Sequence, residues 1–145
     1  MIDRYTRPAM AAVWSEQTKL GHWLRIEILA TEYRANQGLV PAEDLEAIRA
    51  KAAFDVDRVK EIERKTRHDV AAFIDNLTEN IGPAAKHLHY GMTSSDVLDT
   101  ALALQMRDAV DLLLAGADDL LRVTVGRARQ HAHSFMAGRT HGIHA

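Results

Sequence analysis

Apolar residues recur at helical spacing along almost the whole chain. From Glu16 to Asn36 the row Leu20, Trp23, Leu24, Glu27, Ala30 and Tyr33 keeps that period and Gly38 closes it, which predicts an amphipathic helix. Before it, Pro8 suits the first turn of a short helix running to Trp14, and Ser15 suits the cap of the longer one. Pro41 with Glu43 and Asp44 opens another helix, and Asp55 a further one with Val56, Val59 and Ile62 on one face. Val70, Phe73, Ile74 and Leu77 form the next stripe, which Gly82-Pro83 terminates.

The longest pattern follows. Gly91 breaks the preceding segment, Thr93, Ser94 and Ser95 offer capping hydroxyls, and Asp96 and Asp99 put negative charge where a helix N-terminus favours it. A helix is therefore predicted to begin at Ser94 to Asp96. One apolar row runs through Leu102, Met106, Ala109, Leu113, Ala117 and Leu120, and a second through Val110, Leu114, Ala117, Leu121, Val125 and Ala128. Together they make a face wider than one packing partner needs, so several neighbours are expected. No proline interrupts Asp96 to His131, which allows a helix of roughly 50 Å at the usual rise per residue. No strand-like alternation of useful length and no repeat is found, so the fold class is all-α. A small N-terminal helical domain is expected over 1–86, and the start of a helical-bundle domain over 87–145.

Composition narrows the function classes. With 145 residues, 47% of them hydrophobic, the chain can fill a core. Eighteen basic and 20 acidic residues give net charge −2 without long blocks of either sign, so neither nucleic acid nor an acidic membrane surface is an expected partner. Cysteine is absent, which excludes disulfides and thiolate metal sites and suits the cytoplasm. No apolar run reaches signal-peptide or membrane-spanning form.

Chemistry concentrates in a few polar segments. Eight histidines fall at His22, His68, the pair His87 and His89, and the group His131, His133, His141 and His144. Singly, each reads as an ordinary hydrogen-bonded histidine, and His22, His131, His133 and His144 stay in that class. The two His-x-His pairs invite a metal reading. Residues two apart on a helix diverge, however, and no His-x-x-x-His, Glu-x-x-His or acidic cluster completes a ligand set, so no metal or other cofactor is expected. Capping alone explains two of the hydroxyls at Thr93, Ser94 and Ser95, and a surface ion pair is the common fate of arginines such as Arg4, Arg67 and Arg139. Their combination is more informative than any one of them. Helix N-terminal amides and hydroxyls receive phosphate or carboxylate, arginines clamp it, and histidine moves a proton near neutral pH, so these are parts of a site for a small polyanion.

Four segments, in this order, resemble those of the adenylosuccinate lyases of the fumarase/aspartase superfamily. Met1-Ile2-Asp3-Arg4-Tyr5-Thr6-Arg7-Pro8 with Trp14-Ser15-Glu16 is similar to that family's N-terminus, and Thr66 to Phe73, with Arg67-His68-Asp69-Val70, to its first histidine motif. His89-Tyr90-Gly91-Met92-Thr93-Ser94-Ser95-Asp96 resembles the second and Gly138-Arg139-Thr140-His141-Gly142 the third. The resemblance implies a β-elimination that releases fumarate from adenylosuccinate, giving AMP, and from the succinylated imidazole-carboxamide ribotide of purine synthesis. It implies His141 as proton donor to the leaving nitrogen and His68 as a partner that positions substrate and supports that transfer. It also implies nucleotide binding by Arg4, Tyr5, Arg67, His68 and Asp69, a grip on the succinyl carboxylates by Thr93 and Ser94, and a place near the phosphate for His89. Family members are homotetramers whose sites draw on three subunits, so a homo-oligomer acting on a small nucleotide is expected. The family's base is a serine in a Ser-Ser-x-Met-Pro-x-Lys-x-Asn-Pro loop, which this sequence lacks. The chain thus resembles the N-terminal third of such an enzyme and is expected to be inactive alone. Two alternatives remain at this point: a sister lyase of the argininosuccinate or fumarase type, and a non-catalytic helical oligomerisation module.

Overall fold

The computed structural model describes residues 2–144, apart from the side chain of Asp3. Met1 and Ala145, the outer bounds of the two expected domains, lie outside the described residues. Among the described residues six helices follow one another: α1 (Pro8–Val13), α2 (Glu16–Asn36), α3 (Ala42–Lys51), α4 (Val56–Thr66), α5 (Asp69–Ile81) and α6 (Ser94–Gln130). Short 3-10 turns occupy Asp3–Tyr5 and Pro83–His87. A two-stranded antiparallel hairpin, β1 (Arg139–Thr140) and β2 (Ile143–His144), lies beyond α6 and pairs Arg139 with His144 and Thr140 with Ile143. The all-α class holds, since the strands are two residues each.

Local chemistry sets the boundaries. Pro8 stands at the first turn of α1, where its missing N–H costs nothing. The Ser15 side chain accepts from the Thr18 N–H at 3.1 Å and caps α2, and Asp55 accepts from the Arg58 N–H at 2.7 Å and caps α4. Gly82, at φ +80°, takes the chain out of α5 in a conformation that a side chain would strain.

The chain divides into two compact units, one ending at Ala109 and the other beginning at Val110. The core of the first is built from Leu20, Trp23, Ile48, Val59, Val70, Phe73, Leu77, Ile81, Leu88, Val97 and Ala101. Phe73, fully buried on α5, meets the Trp23 ring edge-on at 5.5 Å and the Phe54 ring at 5.9 Å. Three elements thereby close on one aromatic centre. On α2 the buried row is Leu20, Trp23, Glu27 and Thr31, a steady advance of about one turn. Tyr33, part of the predicted row, is exposed because the row continues through Thr31 instead. On α6 the buried row is Val97, Ala101, Gln105 and Ala109, and the Gln105 amide donates to the Val13 carbonyl at 2.8 Å, tying α6 to the end of α1.

In the second unit α6 runs on to Gln130 with its side chains exposed, including Leu113, Leu114, Leu120 and Leu121. The two wide apolar rows predicted along α6 therefore have no covering neighbour among the described residues beyond Ala109. Among those residues no helix is long and apolar enough to cross a membrane.

Candidate functional site

Two junctions of the first unit carry most of the polar residues singled out from the sequence. At the first, α4 passes into α5 through only two residues. Arg67 closes α4 in the left-handed region, at φ 54° and ψ 28°, and its N–H still donates to the Glu63 carbonyl at 2.8 Å. Glycine is the usual residue at such a position. His68 then returns to extended backbone and caps α5 with its ring, Nδ1 accepting from the Ala71 N–H at 3.2 Å. Because that nitrogen is an acceptor, the neutral ring carries its proton on Nε2. Nε2 faces the Ser94 hydroxyl at 3.4 Å, joining the first junction to the second.

The second junction runs from Leu88 to the start of α6. His89, at φ 55°, and Gly91, at φ 80°, turn the chain, and the Met92 N–H closes back on the His89 carbonyl at 3.3 Å. Thr93 precedes α6 with its N–H donating to the Asp96 carboxylate at 2.8 Å, the backward half of a capping box. The capping thus falls to Asp96, and the Ser94 hydroxyl is left to meet His68.

His68, His89 and Ser94 line one open cavity of about 300 Å³, with Val70, Ala71, Ile74 and Asp75 of α5 as the remaining wall. Behind His89 lies Glu27, fully buried on α2. Its Oε2 accepts the His89 N–H and its Oε1 lies against His89 Nδ1, both at 2.7 Å. The structure therefore gathers three of the sequence candidates in one place. Arg67 lines a separate depression of about 440 Å³ with Lys60, Glu63 and Arg64. Asp69 accepts from the Val70 N–H at 2.8 Å, within the first turn of α5. Arg4 and Tyr5 are exposed in the first 3-10 turn, with the guanidinium 4.8 Å from the Tyr5 ring centre. None of Arg4, Tyr5, Arg67, Asp69 and Thr93 lines the His68 cavity.

His141 belongs to the second unit. It is the first residue of the two-residue turn between β1 and β2, with φ 48°, followed by Gly142 at φ 78°. Two consecutive left-handed residues are what a tight antiparallel hairpin demands, and glycine supplies one of them at no cost. Among the described residues the non-glycine positions with positive φ are Arg67, His89 and His141. All three are candidates named from the sequence, and strained backbone of this kind gathers at functional sites.

Two polar clusters escaped the sequence reading. Glu27 stands in the helical row of Leu20 and Trp23, and a carboxylate at a core register was the signal available for it. Asp44 receives His87 Nε2 at 2.9 Å and Lys86 Nζ at 3.3 Å, and the His87 hydrogen bond holds its carboxyl below the usual aspartate range. His22, read as ordinary, has a buried Nε2 without a hydrogen bond, 3.6 Å from Asp108. No group of three or more acidic or histidine side chains suited to a metal ion occurs among the described residues.

Comparison with known proteins assigns the class. A family model described as Lyase matches residues 3–145, and the chain belongs to that lyase family. It is 48% identical to the adenylosuccinate lyase of Synechocystis sp. and 44% identical to that of Bacillus subtilis, in each case over 100% of this chain and 34% of the relative. The chain thus spans about a third of the length of the curated relatives it matches. Among solved structures, the 3-carboxy-cis,cis-muconate lactonizing enzyme of Pseudomonas putida superposes with a TM-score of 0.87 at 32% identity, over 100% of this chain and 35% of that one.

Proposed function

We propose that this chain supplies part of the active site of an adenylosuccinate lyase, which eliminates fumarate from adenylosuccinate and from the succinylated aminoimidazole carboxamide ribotide of purine synthesis. The observation that carries the reading is the cavity in which His68 Nε2 meets the Ser94 hydroxyl beside His89. With His68 Nδ1 committed to the Ala71 N–H, the ring donates from Nε2 to Ser94 Oγ and leaves the Ser94 proton free for an anionic oxygen of the substrate. Ser94 is also the first residue of α6, so the helix N-terminus favours the same negative charge. A donor pair of this kind stabilises the carboxylates whose charge rises as the succinyl carbon loses its proton.

The remaining roles follow the family resemblance. His141 protonates the leaving nitrogen and His68 supports it. Arg4, Tyr5, Arg67 and Asp69 bind the nucleotide, Thr93 joins Ser94 on the carboxylates, and His89 faces the phosphate. The working form is a cytoplasmic homotetramer, with 1–86 as an N-terminal helical domain and 87–145 as the start of the central bundle. The exposed leucines of α6 are compatible with burial in such a bundle.

The test is a chimera in which residues 1–145 replace the matching stretch of the Bacillus subtilis relative, followed by the release of fumarate from adenylosuccinate. We expect turnover, and we expect His141→Gln and Ser94→Ala each to lower kcat/KM by a factor of about 100 or more, the loss for one acid–base or anion-stabilising group. The 145-residue chain alone should release none. A second reading, a sister lyase for another carboxylate substrate, draws on the 32% identity to the lactonizing enzyme. A folded chimera that is inert towards adenylosuccinate would favour it.

A further inference from the structure

Among the described residues Glu27 is the one acidic side chain that is fully buried. Removing a carboxylate from water is costly unless its oxygens are met by donors. Here both oxygens are met by a single residue, His89, one through the backbone N–H and the other through the ring. Glu27 stands two turns along α2 from Leu20 and one from Trp23, where an aliphatic side chain would fill the core without that cost. Holding the backbone of the 88–92 turn needs one acceptor, which any neutral amide supplies. The second oxygen is spent on the imidazole.

That expenditure has a chemical result. A carboxylate only accepts, so His89 Nδ1 must carry a proton, and Nε2 is the ring nitrogen left for the cavity that His89 lines. His68, in the same cavity, is fixed the opposite way, with Nδ1 as acceptor and the proton on Nε2. The site therefore holds two imidazoles locked in opposite tautomers by two different devices.

We propose that Glu27 is a positioning residue that locks the Nδ1–H form of His89 and so turns the Nε2 lone pair to a phosphate monoester of the substrate, whose monoanion gives its P–O–H proton to Nε2 and is then held by the imidazolium N–H so formed. This rests on reading the cavity as part of a nucleotide lyase site. Glu27→Gln is isosteric but brings one acceptor and one donor to two N–H groups. The backbone N–H cannot change, so the amide oxygen must serve it, and the ring must then accept from the amide and shift its proton to Nε2.

The experiment is nitrogen–proton correlation of the histidine rings in the intact chain labelled with nitrogen-15, with circular dichroism to confirm folding. In the wild type we expect His89 protonated on Nδ1. In Glu27→Gln we expect the Nε2–H pattern at His89 while His68 keeps its own. Titrated AMP and inorganic phosphate should move the wild-type His89 Nε2 signal, adenosine should not, and AMP should bind the variant about tenfold more weakly, because a neutral Nε2–H ring donates to the phosphate but cannot take the monoanion's proton, which leaves a neutral hydrogen bond where the wild type makes a charge-assisted one. An unprotonated Nδ1 in the wild type, a measurement that needs no variant, overturns the proposal. So does a folded variant with an unchanged His89 pattern. A tautomer switch with unchanged AMP affinity overturns the link from Glu27 to the phosphate. A switch with no AMP binding by the wild type overturns the nucleotide reading and the phosphate assignment with it, and leaves Glu27 as the residue that sets the ring.

Discussion

Replacing Arg67 by glycine should make this protein more stable while weakening its proposed site. Arg67 ends α4 at φ 54° and ψ 28°. A residue with a Cβ pays about 1–2 kcal/mol for left-handed backbone. Glycine there is free of that cost but adds freedom to the unfolded chain, worth about 0.4–1 kcal/mol. The difference leaves a net gain of about 0.5–1 kcal/mol for Arg67→Gly over Arg67→Ala, which removes the same guanidinium and keeps the strain. Arg67 is exposed, so neither variant opens a core cavity. Urea denaturation followed by circular dichroism reads the gap directly. At the denaturant sensitivity usual for small proteins the midpoints should lie about 0.3–0.7 M apart, with Arg67→Gly the higher. AMP binding, measured by calorimetry, should fall in both. A glycine variant no more stable than the alanine variant would refute the claim that strain is stored at this junction. A variant that binds AMP as the wild type does would separate the strain from function.

Two further outcomes follow from the packing and the charges. Phe73→Ala empties the place where Trp23 and Phe54 meet and should cost about 3–5 kcal/mol, seen as a calorimetric Tm lower by roughly 10–20 °C; a loss under about 1.5 kcal/mol would mean that the three rings do not form the core centre. Glu79 and Glu61 are held below the ordinary glutamate range by hydrogen bonds from Arg58, so their contribution to stability is complete above about pH 4.5 and is lost as pH falls through their lowered folded values. The acid limb of the urea midpoint against pH should therefore be shallower in Arg58→Met, and an unaltered slope would count against that triad.

Much of the helical plan was legible because its punctuation is local. Pro8, Ser15, Asp55 and Gly82 mark boundaries by rules that act within three or four residues, and the structure uses them so. The hairpin was not legible as strands, since two residues are too few to alternate, although His141-Gly142 between the β-branched Thr140 and Ile143 has the form of a two-residue turn. Nor were the left-handed residues marked, because arginine and histidine occupy places where glycine would have announced the conformation. Of the candidate site, His68, His89 and Ser94 were visible as polar residues at helix ends, and the cavity brings them together. The hydrogen bond between His89 and Glu27 spans 62 residues and depends on how α2 packs, which no local rule supplies.

The double employment of His68 bears on how freely that position can change in evolution. Serine, threonine, aspartate and asparagine would all start α5 at least as well as an imidazole does. Selection for folding alone would therefore let the position wander among several residues without penalty. Selection for a nitrogen donor that reaches Ser94 while the cap is kept removes those choices, because serine, threonine and aspartate carry no nitrogen and the asparagine amide, one atom shorter than the imidazole that spans to Ser94 at 3.4 Å, stops short of it. Histidine is the side chain that satisfies both demands at once, so a substitution that leaves the helix whole still leaves the cavity without its donor.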